Sequence, residues 1–190
     1  MKTQIRLLGI DDSPFSFSDE YAIIVGVIMR GGSYIESVLS RKIKVDGDDS
    51  TDLCIDMVNK TRHKVQLKSI LLDGVTFCGF NVLNIEKIFL KTGIPVITIT
   101  RDKPDYKKIK NALIKNFSDW ENKFDIIEKG LLYKIETNFN PIYIKCFGIS
   151  FKEAKEIITI STIRGVIPEP IRIAHLIASG IIRGESYGKV

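Results

Sequence analysis

Long apolar runs are missing from this 190-residue chain. The longest, residues 21–29 and 94–100, are strand-sized and fall well short of the ~20 residues that a membrane span needs, so no transmembrane helix is expected. Cysteine is scarce: Cys54, Cys78 and Cys146 are widely spaced and odd in number, which rules out a disulfide framework and any CxxC metal or redox site. A reducing, cytoplasmic setting follows. No signal peptide is read either, because Lys2 and Arg6 lead into a strand that runs to Asp11 with no cleavage site behind it. Internal repeats and low-complexity tracts are absent. So is the glycine-rich turn that a nucleotide-binding fold places after its first strand; Asp11-Asp12-Ser13-Pro14 stands there instead.

What is present describes a globular protein: 44% hydrophobic and 27% charged residues over a length that suits one domain, residues 1–190. A net charge of +5 is compatible with a polyanionic partner such as nucleic acid. The periodicity predicts strands over residues 4–10, 21–29 and 33–45, joined by short turn-rich links that include Gly31-Gly32, hence a three-stranded antiparallel meander. A helix from Asp49 follows, where Asp49, Ser50 and Thr51 offer N-caps. Next come a strand over 65–72, a helix over 82–90, a strand over 95–100 and an amphipathic helix over 107–117. A hairpin within 135–146 is interrupted by Asn138-Phe139-Asn140-Pro141, and helices over 151–160 and 170–182 end the chain. Strands alternating with helices imply parallel pairing through right-handed crossovers. Three antiparallel strands, a helix, then parallel strands with helices between is the order of an α/β fold with an RNase H-like mixed sheet.

Ligands meet such sheets at the C-terminal ends of the parallel strands, which gives weight to carboxylates there. Asp11 closes the first predicted strand and Asp73 the fourth, and these strands are neighbours in an RNase H-like sheet. The two acids can then share Mg²⁺ or Mn²⁺, hard ions that take oxygen ligands and activate water for phosphodiester hydrolysis. Taken one at a time, Asp11-Asp12-Ser13-Pro14 and Asp73-Gly74 also read as plain turns. Asp46, Asp48, Asp49 and Asp52 crowd into residues 46–52, more negative charge than one helix cap requires; a cation site and a solvated acidic loop both fit. Phe77 and Phe80 read as core or as a base-stacking rim. Arg62, His63 and Lys64, and likewise Lys107, Lys108 and Lys110, read as solvated faces or as phosphate contacts.

Leu72-Asp73-Gly74, then Gly93-Ile94-Pro95-Val96-Ile97, then Ile167-Pro168-Glu169-Pro170-Ile171-Arg172-Ile173-Ala174-His175 resemble, in order and spacing, the landmarks of endonuclease V, which cuts nucleic acid beside deaminated adenine. Over nearly the whole length the chain also resembles a family of archaeal proteins of unknown function related to that enzyme. There Leu-Asp-Gly-Val-Thr-Phe-x-Gly-Phe-Asn and Asp-Gly-Asp-Asp-Ser-Thr are typical, as at residues 72–81 and 46–51 here. The resemblance implies metal ligation by Asp11 and Asp73. The second metal-binding acid of the endonuclease V family, a Glu, falls on Asp52, with Asp49 one helical turn earlier. Its Lys after the fifth strand falls on Arg101, which keeps the positive charge without the compact head group, and its C-terminal His falls on His175. Two features depart from the enzyme. The Pro-Tyr-Ile-Pro wedge that separates strands has no counterpart, and the His that follows the Asp-Gly is replaced around Cys78-Gly79.

The expected activity is therefore metal-dependent phosphodiester hydrolysis of endonuclease V type, with Asp11, Asp73 and Asp52 or Asp49 as ligands, Arg101 on phosphate and His175 orienting water or the leaving group. A non-catalytic module that binds RNA or other nucleic acid on the same fold is the alternative. A phosphotransferase is disfavoured by the missing glycine loop.

Overall fold

The computed structural model describes residues 4–187; Lys2 lies outside them. The chain opens as a meander of β1 (Arg6–Asp12), β2 (Tyr21–Arg30) and β3 (Tyr34–Lys44), each antiparallel to the last. Helix α1 (Ser50–Lys60) leads to β4 (Leu67–Asp73), which lies parallel to β1 with Ile10 opposite Leu72. A two-stranded ribbon, β5 (Thr76–Phe77) and β6 (Asn81–Val82), precedes α2 (Ile85–Thr92) and β7 (Val96–Thr100), parallel to β4. Then come α3 (Tyr106–Asn116), α4 (Trp120–Glu128), the hairpin of β8 (Tyr133–Ile135) and β9 (Ile142–Phe147), α5 (Phe151–Ser161) and α6 (Glu169–Arg183). The main sheet runs β3-β2-β1-β4-β7-β9-β8, and β9 joins β7 antiparallel. This is the mixed α/β sheet expected from the sequence. No helix among the described residues is long and apolar enough to cross a membrane.

Two elements differ from the periodicity. The helix placed at 82–90 begins at Ile85, because Val82 pairs with Thr76 and Asn84 caps the helix by accepting from Lys87 N at 2.9 Å. Helix α4 carries Trp120, Phe124 and Ile127 at helical spacing and packs them with α3, in a small core of its own that also takes Phe80.

Because successive strand residues face opposite ways, β1 and β4 divide their side chains between two layers. Leu8, Ile10, Ile70 and Leu72 pack under α1 and α2, whereas Leu7 and Leu71 pack with α5 and α6. Gly9 belongs to the second face, and a Cβ there would stand 2.2 Å from the Pro170 carbonyl carbon. The first turn of α6 therefore rests directly on β1. Pro168-Glu169-Pro170 stiffens that approach, since proline in the first helical turn loses no hydrogen bond and holds the residue before it extended. Gly9→Ala is expected to cost about 2–3 kcal/mol through overpacking of backbone against backbone, read as a lower midpoint in urea. An unchanged midpoint would mean that α6 can lift freely from β1.

Candidate active site

Strand pairing brings the first two acids together. Ile10 is opposite Leu72 in a parallel ladder, so Asp11 and Asp73, one residue further on, lie level on adjacent strands and face the α6 side. Asp11 is only 2% exposed; its Oδ1 accepts from Asp12 N at 2.9 Å, and its Oδ2 shares a 2.9 Å hydrogen bond with His175 Nδ1. His175 reaches it because Pro170 seats α6 on Gly9, which sets that helix across the end of β1. The bond to Asp11 raises the imidazole above its ordinary pKa and leaves Nε2 as the ring nitrogen for a substrate.

Asp73 takes no hydrogen bond from the described residues. Burial first and the Asp11 carboxylate second push it up to about 7, against the pull of Arg101. Asp12, the last residue of β1 and one that sequence pattern alone did not single out, is a third member. Its Oδ2 accepts from Cys78 N, and burial with the nearby Asp11 raises it to about 6. The Asp-Asp doublet was the available signal, but strand alternation sends the second acid to the opposite face and hid its proximity. A cavity of about 430 Å³ opens over these acids, with His175 on its wall. A second, of about 450 Å³, lies on the other side of Asp73 and contains Arg101, whose Nη2 is buried without a partner.

The acids of α1 are not brought here. Asp52 is exposed and pairs with Lys87 at 2.7 Å, while Asp49 accepts from Asn81 Nδ2 at 2.6 Å. Asp46 accepts from Phe80 N at 2.7 Å, and Asp48 pairs with the buried Lys123. The acidic stretch is thus neutralised by protein groups, and the cation its charge suggested is supplied as lysine ammonium. Asn81, fully buried, also donates to Lys44 O at 2.9 Å and accepts from Ser50 N at 2.9 Å. Gly79, at φ +92°, passes so close to Asp46 that a Cβ would meet Oδ1 at 2.1 Å. The two motifs that carry the archaeal resemblance, 46–51 and 72–81, are therefore one interlocked structural unit. Phe77 is core, whereas Phe80 packs edge-on against Phe117 with ring centroids 5.7 Å apart and lines the cavity that contains Arg101.

Among the described residues, no three His, Cys, Asp or Glu side chains converge to hold an ion by themselves. The donor chemistry nonetheless suits Mg²⁺ or Mn²⁺, which commonly use one or two carboxylates and complete their shell with water and phosphate oxygens. Asp73, unpartnered beside two other carboxylates, is the group whose repulsion such an ion would relieve.

Comparison with known proteins places these features in context. The chain is 48% identical to a protein described as UPF0215 protein from Methanothermobacter thermautotrophicus over 190 residues, 99% of this chain and 93% of that one. It superposes on the crystal structure of a protein of unknown function from Archaeoglobus fulgidus with a TM-score of 0.86 at 39% identity, covering 95% and 99% of the two chains. It also superposes on Ciona intestinalis endonuclease V, solved in complex with DNA containing an inosine, with a TM-score of 0.59 at 18% identity over 90% and 82% of the chains; identity at that level speaks for the fold. A family described as Endonuclease dU matches residues 3–182. With its RNase H-like sheet and endonuclease V-like architecture, the chain belongs to the Endonuclease dU family.

Proposed function

We propose that this chain, acting as one cytoplasmic domain over residues 1–190, is a divalent-metal-dependent endonuclease that hydrolyses a phosphodiester in nucleic acid. The family's description points to deoxyuridine as the feature it acts upon. The observation that carries the reading is the meeting of Asp11, Asp73 and His175 at one end of adjacent parallel strands. Asp11 and Asp73 would hold Mg²⁺ or Mn²⁺, which supplies water activation and screening of phosphate charge when bound. His175, kept in place through Nδ1 by Asp11, presents Nε2 for proton transfer to or from water or the leaving oxygen. Arg101 would neutralise a phosphate oxygen, a role supported by its buried, unpaired Nη2 and its pull on Asp73. Asp12 joins the carboxylates on the metal side or positions water there.

One observation favours the alternative of a non-catalytic nucleic-acid-binding module: α1 contributes no acid, because Asp49 and Asp52 are engaged elsewhere. Calorimetric titration of Mn²⁺ into the wild type and into an Asp11→Asn, Asp73→Asn double variant, each with and without a deoxyuridine oligonucleotide, decides between the two. Saturable binding that the double variant loses is expected. A wild type that binds no metal even with the oligonucleotide present, yet binds the oligonucleotide, would establish the module.

A further inference from the structure

The cavity over Asp11 and Asp73 has aromatic rings on its rim from two separate elements. One is the segment between β1 and β2, where Phe15 lines the cavity and Phe17 packs edge-on against it, centroids 5.4 Å apart. The other is the end of α6, where Arg183 and Tyr187 line the same cavity with the guanidinium 4.6 Å from the ring centre. Phe17 is 78% exposed and Tyr187 61%. An exposed phenylalanine in a loose loop would mean little, but this one sits on a fastened turn. Ser16 N donates to Asp19 Oδ2 at 2.8 Å, Asp19 N donates to Ser16 O at 2.9 Å, and Ser13 anchors the segment through hydrogen bonds to Ile23 at both its N and its Oγ. The turn presents the Phe17 ring to water in a defined place, at a hydration cost that packing does not repay.

We propose that Phe17 and Tyr187 stack on bases of an unpaired nucleic-acid strand that crosses the Asp11–Asp73 cavity, with Arg183 on its phosphates, so that the substrate is single-stranded or locally opened at the cleavage point. The inference rests on the nucleic-acid reading above and deepens it. Base faces in a duplex are covered by their neighbours, so an aromatic side chain finds one free only where the stack is broken. The cavity, about 430 Å³, is in the range of sites that take one small ligand unit such as a nucleotide. Arg183 supplies the cation that a phosphate needs, two helical turns beyond His175 on the same helix.

Fluorescence anisotropy tests this with a labelled oligodeoxynucleotide of roughly 20 nucleotides containing one deoxyuridine, single-stranded and as a duplex. It is run on wild type and on a Phe17→Ala, Tyr187→Ala double variant, in Ca²⁺ and in chelator. The single strand is expected to bind wild type at least about 10-fold tighter than the duplex, and the double variant to lose about 10- to 100-fold for the single strand only. Thermal midpoint and Mn²⁺ affinity should not move, since neither ring is core or ligand. Equal binding by wild type and variant, tighter binding of the duplex, or no binding by either overturns the inference. So does a wild-type dimer on gel filtration that Phe17→Ala dissolves, which would assign the rings to a second copy of this chain. Stacking that survives without any Mn²⁺-dependent product would refute the nuclease reading alone; product formed at the wild-type rate by the double variant, with unchanged binding, would refute the stacking alone.

Discussion

Asp11→Asn protein is expected to lose at least about 10³-fold of its metal-dependent cleavage rate, and Asp73→Asn at least as much, while both remain folded. The reason lies in what each carboxylate touches. Asp11 is at once the acceptor that fixes His175 and a neighbour of Asp73 across the β1–β4 ladder, so the amide removes a metal ligand and the partner that orients the imidazole together. Asp73 carries no hydrogen bond from the described residues, so Asn there deletes negative charge and little else.

The same substitution should therefore act in opposite directions on activity and stability. Asp73 is raised to about 7, chiefly by burial and then by Asp11. Below the unfolded carboxyl value near 4 both states hold the proton and burial of the charge costs nothing. Between there and about 7 the unfolded chain releases the proton while the folded one keeps it, so stability falls as pH rises through that window and stays low above it. In chelator at pH 8, Asp73→Asn is expected to be more stable than wild type by about 1–3 kcal/mol, and at pH 4 by almost nothing. Saturating Mn²⁺ should raise the wild type and leave the variant where it was. Thermal melts at the two pH values, with and without metal, read all of this. A variant that is less stable than wild type at pH 8 without metal would show that the carboxylates are not in conflict, and the case for an ion between them would fall with it.

Much of this site was legible before any coordinates. Alternation and turn chemistry were enough to order the meander, α1 and the two parallel strands, and the match of that order to an RNase H-like sheet put Asp11 and Asp73 on neighbouring strand ends. His175 came from resemblance, since nothing in a helical His at that spacing says that Pro170 on Gly9 will aim it at Asp11. The acidic stretch misled for a physical reason. Charge density reports that a counter-charge is needed without saying whether it comes as an ion or as a lysine, and Lys123, 75 residues beyond Asp48, is invisible to any local pattern. Helix α4 was missed because it buries its face against α3 and Phe80, away from the main sheet, behind a surface of Glu121, Asn122, Asp125 and Glu128.

That helix also carries the largest expected effect on stability. Lys145 on β9 is 4% exposed, and its Nζ donates to Ile127 O at 2.7 Å and to Glu128 O and Lys129 O at 2.9 Å each. Three donors meet three carbonyls at the C-terminal end of α4, where the helix dipole is negative and the last carbonyls lack intrahelical partners. Burial lowers the ammonium's pKa, which measures the cost of placing a charge there; the carbonyls offset it. Lys145→Met keeps the stem and removes every one of those bonds at once, stranding the buried Ile127 carbonyl and two part-buried ones, for an expected loss of about 2–4 kcal/mol and roughly 10 °C in thermal midpoint. Amide exchange should show α4 opening before the main sheet, because the lost bonds are the ones that tie it to β9. Lys145 also lines the cavity beyond Asp73, so a second outcome is informative. If Lys145→Met melts like the wild type but no longer cleaves, the ammonium serves the reacting phosphate and not the helix, and the assignment of α4 as a wall held up by Lys145 is wrong.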